Sequence, residues 1–171
     1  NELKKRLNEI STISRVANSV STILNLDVLL LKILGLIQET LNFSNCAILL
    51  LDKETGVLKV RASIGYKEEV IKNLSIRPGE GITGRVLLYG KPVLVGDIKN
   101  EPGYIEGING GRSEISVPLV VRDEIIGVLD AESPIPNNFT ENDLNLFAVF
   151  ASYISSAIYN AELFSELEQK N

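Results

Sequence analysis

The spacing of apolar residues changes twice along this chain, and these changes constrain its fold more than any other feature. Up to about residue 42, apolar residues recur every three or four positions, the period of an α-helix. From Cys46 the pattern becomes a continuous apolar run and then alternation, which predict β-strands. After Thr140 the helical period returns and continues to the last residues. The pattern predicts a central sheet with long helices at both ends.

The first 24 residues carry a narrow apolar stripe along one side of a helix. Its members are Leu3, Leu7, Ile10, Ile13, Ala17, Val20 and Leu24. Such a stripe is typical of a coiled-coil seam, although a helix packed on its own domain gives the same spacing. Asn25 or Asp27 is expected to cap a second helix over residues 28–42, which is buried against the sheet. We therefore divide the chain into a dimerisation and signalling helix, residues 1–24, and a domain, residues 25–171.

The middle of the chain predicts two antiparallel hairpins. The first joins residues 46–51 to residues 57–64 through the polar turn 52–56, with one face formed by Leu58, Val60, Ala62 and Ile64. The second joins residues 114–121 to 125–132 through a tight turn at Arg122, Asp123 and Glu124. Asp130 and Glu132, two residues apart, lie on the same side of the last strand.

The remaining segments predict shorter elements around this sheet. They are short helices over 67–74 and 82–88, a brief strand over 93–95 and a long loop over 96–111. Loops of that length inside a compact domain are often functional. The expected fold class is α+β, with a central antiparallel sheet of five to six strands. Helices cover one face, including the long N- and C-terminal helices, and the short helices and the loop cover the other.

Charge and composition exclude several classes of function. The chain has 22 acidic and 17 basic residues, a net charge of -5, and no His. An acidic surface is a poor partner for nucleic acid or anionic lipid, so we expect no nucleic-acid binding and no membrane insertion. The absence of His removes His metal ligands, His-assisted nucleophiles and a proximal haem ligand. One cysteine, Cys46, cannot form an internal disulfide, which favours a cytoplasmic location. It lies in an apolar strand and is expected to be an inert, buried thiol.

Several segments, in order, resemble the GAF domain family. They are residues 26–34, 46–52 (CAILLLD), Gly65, 79–86 (GEGITGRV), 91–95 (KPVLV), 116–119 (SVPL), 126–129 (IGVL) and 139–144. The resemblance covers about residues 25–165. It implies a ligand pocket on one face of the sheet, covered by the short helices and the long loop. It also implies a place in a sensor kinase, cyclase, phosphodiesterase or transcription regulator.

The resemblance also separates branches of that family. Branches that attach a bilin use a Cys in the part covering the pocket, usually next to His, and the chain has neither there. Branches that reduce free methionine sulfoxide use several cysteines, and this chain has one. The cyclic-nucleotide pattern is matched at Phe139 and Asp143, but Ser133-Pro134 replaces its Asn-Lys pair and Leu144 its Glu. We therefore expect no enzyme activity, and the cofactor is unknown.

The candidate ligand-binding residues come from the glycine-rich turn, the loop and the second hairpin. They are Gly81, Thr83, Asp97, Tyr104, Arg112, Ser113, Ser116 and Asp130. Free amides at a helix start favour an anion, and an Arg fork suits a carboxylate or phosphate, although turn formation and a surface salt bridge explain the same residues. Asp130 and Glu132, as paired carboxylates, are able to do acid–base work or to hold a cation. Neutralisation of their charges by Lys or Arg is the simpler interpretation. No metal site is expected, because the sequence pattern supplies no third ligand beside them.

These observations predict a small-molecule-binding sensory domain. It is expected to be a homodimer with parallel terminal helices, which transmit a ligand-dependent signal to an output domain of a longer protein. The alternative is a structural dimerisation and spacer module whose pocket is filled by its own side chains. A cavity of about 300 Å³ with convergent polar groups is the expected mark of the sensory domain.

Overall fold

The computed structural model describes residues 1–108 and 110–170, without the side chains of residue 12 and residues 14–24. Its helices and strands follow one another largely in the order that the spacing of apolar residues predicts. In chain order they are α1 (Glu2–Leu41), β1 (Asn45–Asp52), β2 (Val57–Ile64), α2 (Glu68–Asn73), α3 (Gly81–Tyr89), β3 (Val93–Val95), a 3-10 turn (Ile98–Asn100), β4 (Ser113–Val121), β5 (Glu124–Ser133) and α4 (Glu141–Lys170).

The strands form one five-stranded antiparallel sheet in the order β2-β1-β5-β4-β3. The α+β class and the antiparallel sheet are therefore confirmed. The β4–β5 turn has positive φ angles at Arg122 (54°) and Asp123 (64°). Two consecutive positive φ angles characterise the tight hairpin turns whose twist matches that of the strands they join.

The predicted break between two N-terminal helices is wrong, because α1 runs without interruption from Glu2 to Leu41. Asp27 does not cap a helix start: its Oδ1 accepts a hydrogen bond from Arg61 Nε on β2 at 2.8 Å. A side chain that can cap a helix is therefore used here for a tertiary contact. At the other end, Thr140 does cap α4 as expected, since its Oγ1 accepts from the amide of Asp143 at 3.1 Å.

One face of the sheet forms the main core with α1 and α4. Four α1 side chains and four α4 side chains enter this core: Leu30, Ile33, Leu34, Ile37, Phe147, Ala151, Ile154 and Ile158. Phe43 packs edge-on against Phe139 and Phe147, with ring centroids 4.8 and 5.6 Å away. These aliphatic and aromatic contacts hold both terminal helices on the same face of the sheet.

A β-bulge changes the face that β2 presents halfway along its length. The β1–β2 register shifts between Ile48 and Leu49, leaving Arg61 as the extra residue. As a result, Ala62 and Ile64 pack against the main core, whereas Leu58 and Val60 pack on the opposite face. The expectation that these four residues share one face is therefore wrong.

The opposite face is covered by the two short helices and by the loop that precedes β4. Beneath them lies a smaller apolar cluster: Ala47, Leu49, Leu58, Ile76, Val86, Leu87 and Val128. Helix α2 has no buried residue, so the cover is lighter than the pair of helices on the main core.

The length and composition of α4 also match those of a membrane-spanning helix, with a mean hydropathy of 1.2 over its most apolar window. Four of its apolar side chains lie in the main core beneath the sheet. A helix in the core of a soluble protein can have the same length and hydropathy, so this match alone is weak evidence of a membrane span.

Candidate ligand pocket

The candidate site lies on the lightly covered face, where β4 and β5 bring three carboxyl groups together. In their antiparallel register Glu114 lies opposite Glu132, and Ser116 lies opposite Asp130. Directly opposed residues in a sheet point to the same face, so all four side chains leave the sheet on the pocket side. The core side of the same strands is formed by the alternate residues, among them Ile115, Leu129 and Ala131.

The carboxyl groups of Glu114, Asp130 and Glu132 are close together and almost without solvent. They are 3%, 4% and 6% exposed, and one oxygen from each lies within 4.8 Å of the others. Burial raises the pKa of all three carboxyl groups above their ordinary values. The negative charge of Asp130 raises the pKa of Glu114 further. The cluster therefore favours either bound protons or a bound positive charge.

Two tyrosines orient Glu132. Tyr104 Oη donates to Glu132 Oε2 at 2.5 Å, and Tyr66 Oη donates to Glu132 Oε1 at 3.3 Å. These hydrogen bonds oppose the effect of burial on the pKa of Glu132. Burial also raises the pKa of both phenols, so they remain protonated donors. The loop approaches closely here, so a Cβ at Gly107 would displace the carboxyl group of Glu132.

The carboxyl groups form the polar end of a small, partly enclosed cavity of about 40 Å³. Apolar side chains from β1, β2, α2 and the loop make up most of its wall, including Leu49, Val60 and Ile105. The volume is well below the roughly 300 Å³ expected of a small-molecule site, whereas the expected convergence of polar groups is present.

Two polar atoms beside the cavity lack a hydrogen-bond partner. They are Ser116 Oγ and Asp130 Oδ1, both of them fully buried. Buried polar atoms in native proteins are nearly always paired, because an unmade hydrogen bond costs about 1–3 kcal/mol. Their position at the acid cluster indicates a place where a partner is expected.

Three of the sequence-predicted site residues line this cavity: Thr83, Tyr104 and Asp130. Ser116 lies directly behind it, opposite Asp130 on the neighbouring strand. Gly81 begins α3 and borders a separate outer groove, together with Glu80 and Arg85.

The other three predicted residues do not line the cavity. Arg112 Nη2 pairs with Asp97 Oδ2 at 3.0 Å, and both side chains are about 30% exposed. Their charges are therefore paired with each other outside the lining of the cavity. Ser113 Oγ donates to the carbonyl oxygen of Ile135 at 2.6 Å and fixes the chain that leaves β5.

Neutralisation of Asp130 and Glu132 by Lys or Arg was the expected arrangement, and the structure contradicts it. In the part of the chain that the structure describes, no ion pair includes Asp130, Glu132 or Glu114. Arg85, whose charge lowers the pKa of Glu114, pairs with Glu101 at 2.6 Å. The third carboxyl group comes from Glu114, which sequence reasoning missed, as it missed Tyr66. Their strand and turn positions are visible in the sequence, but their convergence depends on the strand register.

Cys46 is the inert thiol that the sequence predicts. It is 1% exposed and packs in the main core, on the other side of the sheet from the carboxyl groups. Burial raises its thiol pKa well above the ordinary value, which disfavours the reactive thiolate.

Comparison with known proteins gives a consistent family match. A family model described as "GAF domain" matches residues 24–158. The chain is 31% identical over 114 residues to GAF domain-containing protein A of Dictyostelium discoideum, covering 67% of this chain and 69% of that protein. It is 35% identical over 80 residues to protein YtsP of Bacillus subtilis, covering 47% of this chain and 49% of YtsP.

A third relative is a regulator. The chain is 25% identical over 161 residues to the Nif-specific regulatory protein of Herbaspirillum seropedicae, covering 88% of this chain and 29% of that protein. The chain thus spans about half of YtsP and under a third of this regulator.

Solved structures agree on the fold. The GAF domain of an Acinetobacter phosphoenolpyruvate-protein phosphotransferase superimposes with a TM-score of 0.73 at 22% identity, covering 90% of this chain and 95% of that one. A free methionine-R-sulfoxide reductase from Neisseria meningitidis, solved with its substrate, gives a TM-score of 0.72 at 26% identity, covering 80% of this chain and 78% of that one.

Proposed function

This chain belongs to the GAF domain family, and on that basis we propose that it is a small-molecule-binding regulatory domain. The ligand occupies the space between the sheet and its cover of α2, α3 and the loop before β4. Binding favours one packing of α1 and α4, and these helices pass the signal to an output domain of a longer protein. A ligand changes such an equilibrium only by its difference in affinity for the two states.

One observation carries the proposal: the pocket and the main core share the same two strands. Asp130 and Glu132 point into the pocket, and their neighbours Leu129 and Ala131 point into the core beneath α1 and α4. A ligand that draws the carboxyl groups together therefore moves backbone that also supports both terminal helices. No separate connecting element is needed between the site and the helices.

A regulatory role fits the residues better than a catalytic one. The reductase structures show that this fold also serves an enzyme, but the thiol of Cys46 faces away from the pocket and is held protonated. We propose that the chain binds without chemical turnover. The relatives that carry regulatory names, among them the Nif-specific regulatory protein, support the same role.

We further propose a homodimer formed by the terminal helices, in the cytoplasm. Leu3, Leu7, Ile10 and Ile13 are between 58% and 68% exposed and continue along one side of α1. Ala17, Val20 and Leu24, which complete the predicted seam, lie outside the described side chains. An exposed apolar stripe on a helix is covered when two such helices pair in parallel. Residues 1–24 then act as the dimerisation and signalling helix and residues 25–171 as the ligand-binding unit.

A second candidate function is a dimerisation spacer with a vestigial pocket. The small cavity, about 40 Å³, is the observation in its favour. The unpaired Ser116 Oγ and Asp130 Oδ1 argue against it, since a pocket filled by its own side chains is expected to satisfy its buried polar atoms.

Native mass spectrometry of the gently purified chain, compared with the denatured chain, tests the binding role. We expect extra mass on the folded protein that is reduced in Asp130→Asn and retained in Glu124→Gln, an exposed position at the other end of the same strand. If no metabolite or ion binds the folded chain or shifts its melting temperature, the spacer function replaces this proposal. Sedimentation of the Leu7→Glu, Ile10→Glu double variant tests the dimer, and we expect it to be monomeric.

A further inference from the structure

We propose that Glu114, Asp130 and Glu132 bind one hard divalent metal cation, of the Mg²⁺, Mn²⁺ and Ca²⁺ class, through carboxylate oxygens. The inference rests on the proposed function, because it assigns the ligand class of the same pocket. The cation is either the ligand itself or the part of a larger ligand that reaches the strands.

The spacing of the carboxyl oxygens matches the size of such an ion. One oxygen from each of the three residues lies within 4.8 Å of the others. Metal–oxygen distances of about 2.0–2.6 Å place two oxygens on opposite sides of one ion roughly 4–5 Å apart. The three oxygens can therefore reach one ion with side-chain adjustments of a few tenths of an ångström. Oxygen-only ligation selects hard cations over zinc or copper.

The charge of the cluster is not balanced by the described protein groups. All three carboxyl groups are at least 94% buried, and the described ion pairs leave them out. Removing carboxylates from water is costly unless a positive charge accompanies them. A divalent cation supplies that charge in one step, whereas Arg85 is paired with Glu101.

Two unpartnered atoms give independent support. Asp130 is 4% exposed and lines the cavity, and its Oδ1 makes no hydrogen bond. Ser116 Oγ, on the facing position of β4, is also unpartnered and fully buried. An oxygen with free lone pairs beside two other carboxyl groups is suited to accept a cation and unsuited to contact a further anion.

The cavity volume favours an ion over an organic cation. About 40 Å³ holds an ion with roughly two or three waters, since one water occupies about 10–15 Å³ on this measure. Three carboxylates and up to three waters give the six-fold coordination common to this class of ion. Tyr66 and Tyr104 already fix Glu132 by donating to its two oxygens, as the outer partners of metal-binding carboxylates do.

Mn²⁺ is the probe for the test, because its electron paramagnetic resonance signal in solution is lost when the ion binds protein. The metal-free chain is titrated with Mn²⁺ at neutral pH, and Mg²⁺ or Ca²⁺ is then added as competitor. We expect one Mn²⁺ per chain in the wild type. Asp130→Asn and Glu114→Gln are expected to weaken binding at least about 100-fold, and Tyr104→Phe about tenfold.

The matched control is Glu124→Gln, which removes one carboxylate from an exposed position of β5. It is expected to bind Mn²⁺ as the wild type does, because it leaves the pocket unchanged. Circular dichroism checks that every variant is folded. Equal loss of Mn²⁺ binding in Glu124→Gln and Asp130→Asn would overturn the assignment, since it would indicate attraction by net charge alone.

The two proposals fail in different ways. If the wild type binds no Mn²⁺ but native mass spectrometry finds an organic molecule whose retention depends on Asp130, the metal assignment is wrong and the regulatory function stands. If neither ion nor organic molecule binds, both are wrong.

Discussion

The two faces of the sheet differ in what their side chains do, although the same strands build both. On the main-core face, Ile115, Leu129 and Ala131 pack beneath two long helices in a large apolar cluster. On the pocket face, the alternate residues of the same two strands include Glu114 and Asp130, and only α2, α3 and the loop before β4 cover them. The core face thus provides stability, and the pocket face holds polar groups at a cost in stability.

The contrast between the two faces shows which buried groups can gain free energy when a ligand binds. Buried carboxyl groups that lack partners destabilise the fold, and a ligand that supplies partners recovers that free energy. The proposed ligand is therefore expected to stabilise the folded chain.

Truncation of one leucine on each face of the sheet is expected to lower the stability of the fold by different amounts. Leu34 on α1 is 0% exposed in the main core, whereas Leu74 lies partly buried beside the pocket after α2. We expect Leu34→Ala to lower the free energy of unfolding by about 3–5 kcal/mol and Leu74→Ala by about 1 kcal/mol. Urea unfolding followed by far-ultraviolet circular dichroism measures both. Equal losses would show that the pocket face carries as much of the stability as the core.

The second prediction concerns how the free energy of unfolding depends on pH. Because the pKa values of Glu114, Asp130 and Glu132 are raised in the folded chain, the fold retains protons that the unfolded chain releases. Stability without divalent metal is therefore fully present below about pH 4. It declines as pH rises through the folded pKa values, by at most about 1.4 kcal/mol per pH unit for each proton.

Other groups near the cluster modify this decline without reversing it. The charge of Arg85 lowers the pKa of Glu114, and the two tyrosines lower that of Glu132. The half-buried Asp52 and Asp97 have lowered pKa values and act with the opposite sign, below about pH 4. Glu114→Gln is expected to flatten the decline and Glu124→Gln to leave it. Stability that rises between about pH 5 and 8 would contradict the burial argument.

Loss of one tyrosine hydroxyl is the third test. Tyr104→Phe removes the donor to Glu132 Oε2 and leaves that oxygen buried, so we expect a loss of about 1 kcal/mol. The pKa of Glu132 is expected to rise, because the lost hydrogen bond favours its charged form. Nuclear magnetic resonance titration of the side-chain carboxyl groups measures this shift. A structural role of the phenol ring alone would leave the pKa of Glu132 unchanged.

The smallest effect is expected at the rim of the core face. Arg122 pairs with Glu166 on α4 at 3.2 Å, with both side chains about half exposed, and lies over the ring of Tyr159. Arg122→Ala is expected to cost about 0.5 kcal/mol or less and to leave Mn²⁺ binding unchanged. A loss as large as that of Leu34→Ala would mean that this contact, and not the core, holds α4 in place.

Local patterns in the sequence were enough to predict most elements of the fold. The continuous apolar run of β1, the Thr140 cap of α4 and the turn at Arg122 depend on near neighbours, and the structure confirms each of them. Near neighbours in the sequence do not predict the role of Asp27, because a side chain that can cap a helix can also form an ion pair. Its partner is Arg61, which is distant in sequence and close only in the fold.

The pocket was decided by tertiary structure. Counting back from the β4–β5 turn places Glu114 opposite Ala131. A register shift between Leu119 and Val120 leaves Ile126 of β5 unpaired, so Glu132 lies opposite Glu114 and both carboxyl groups point into the pocket. A one-residue shift exchanges the two faces of a strand, so it decides whether a carboxyl group joins the core or the site. Local spacing of apolar residues is enough to specify the strands and helices, whereas the register, held by the packing of the whole sheet, specifies which carboxyl groups meet.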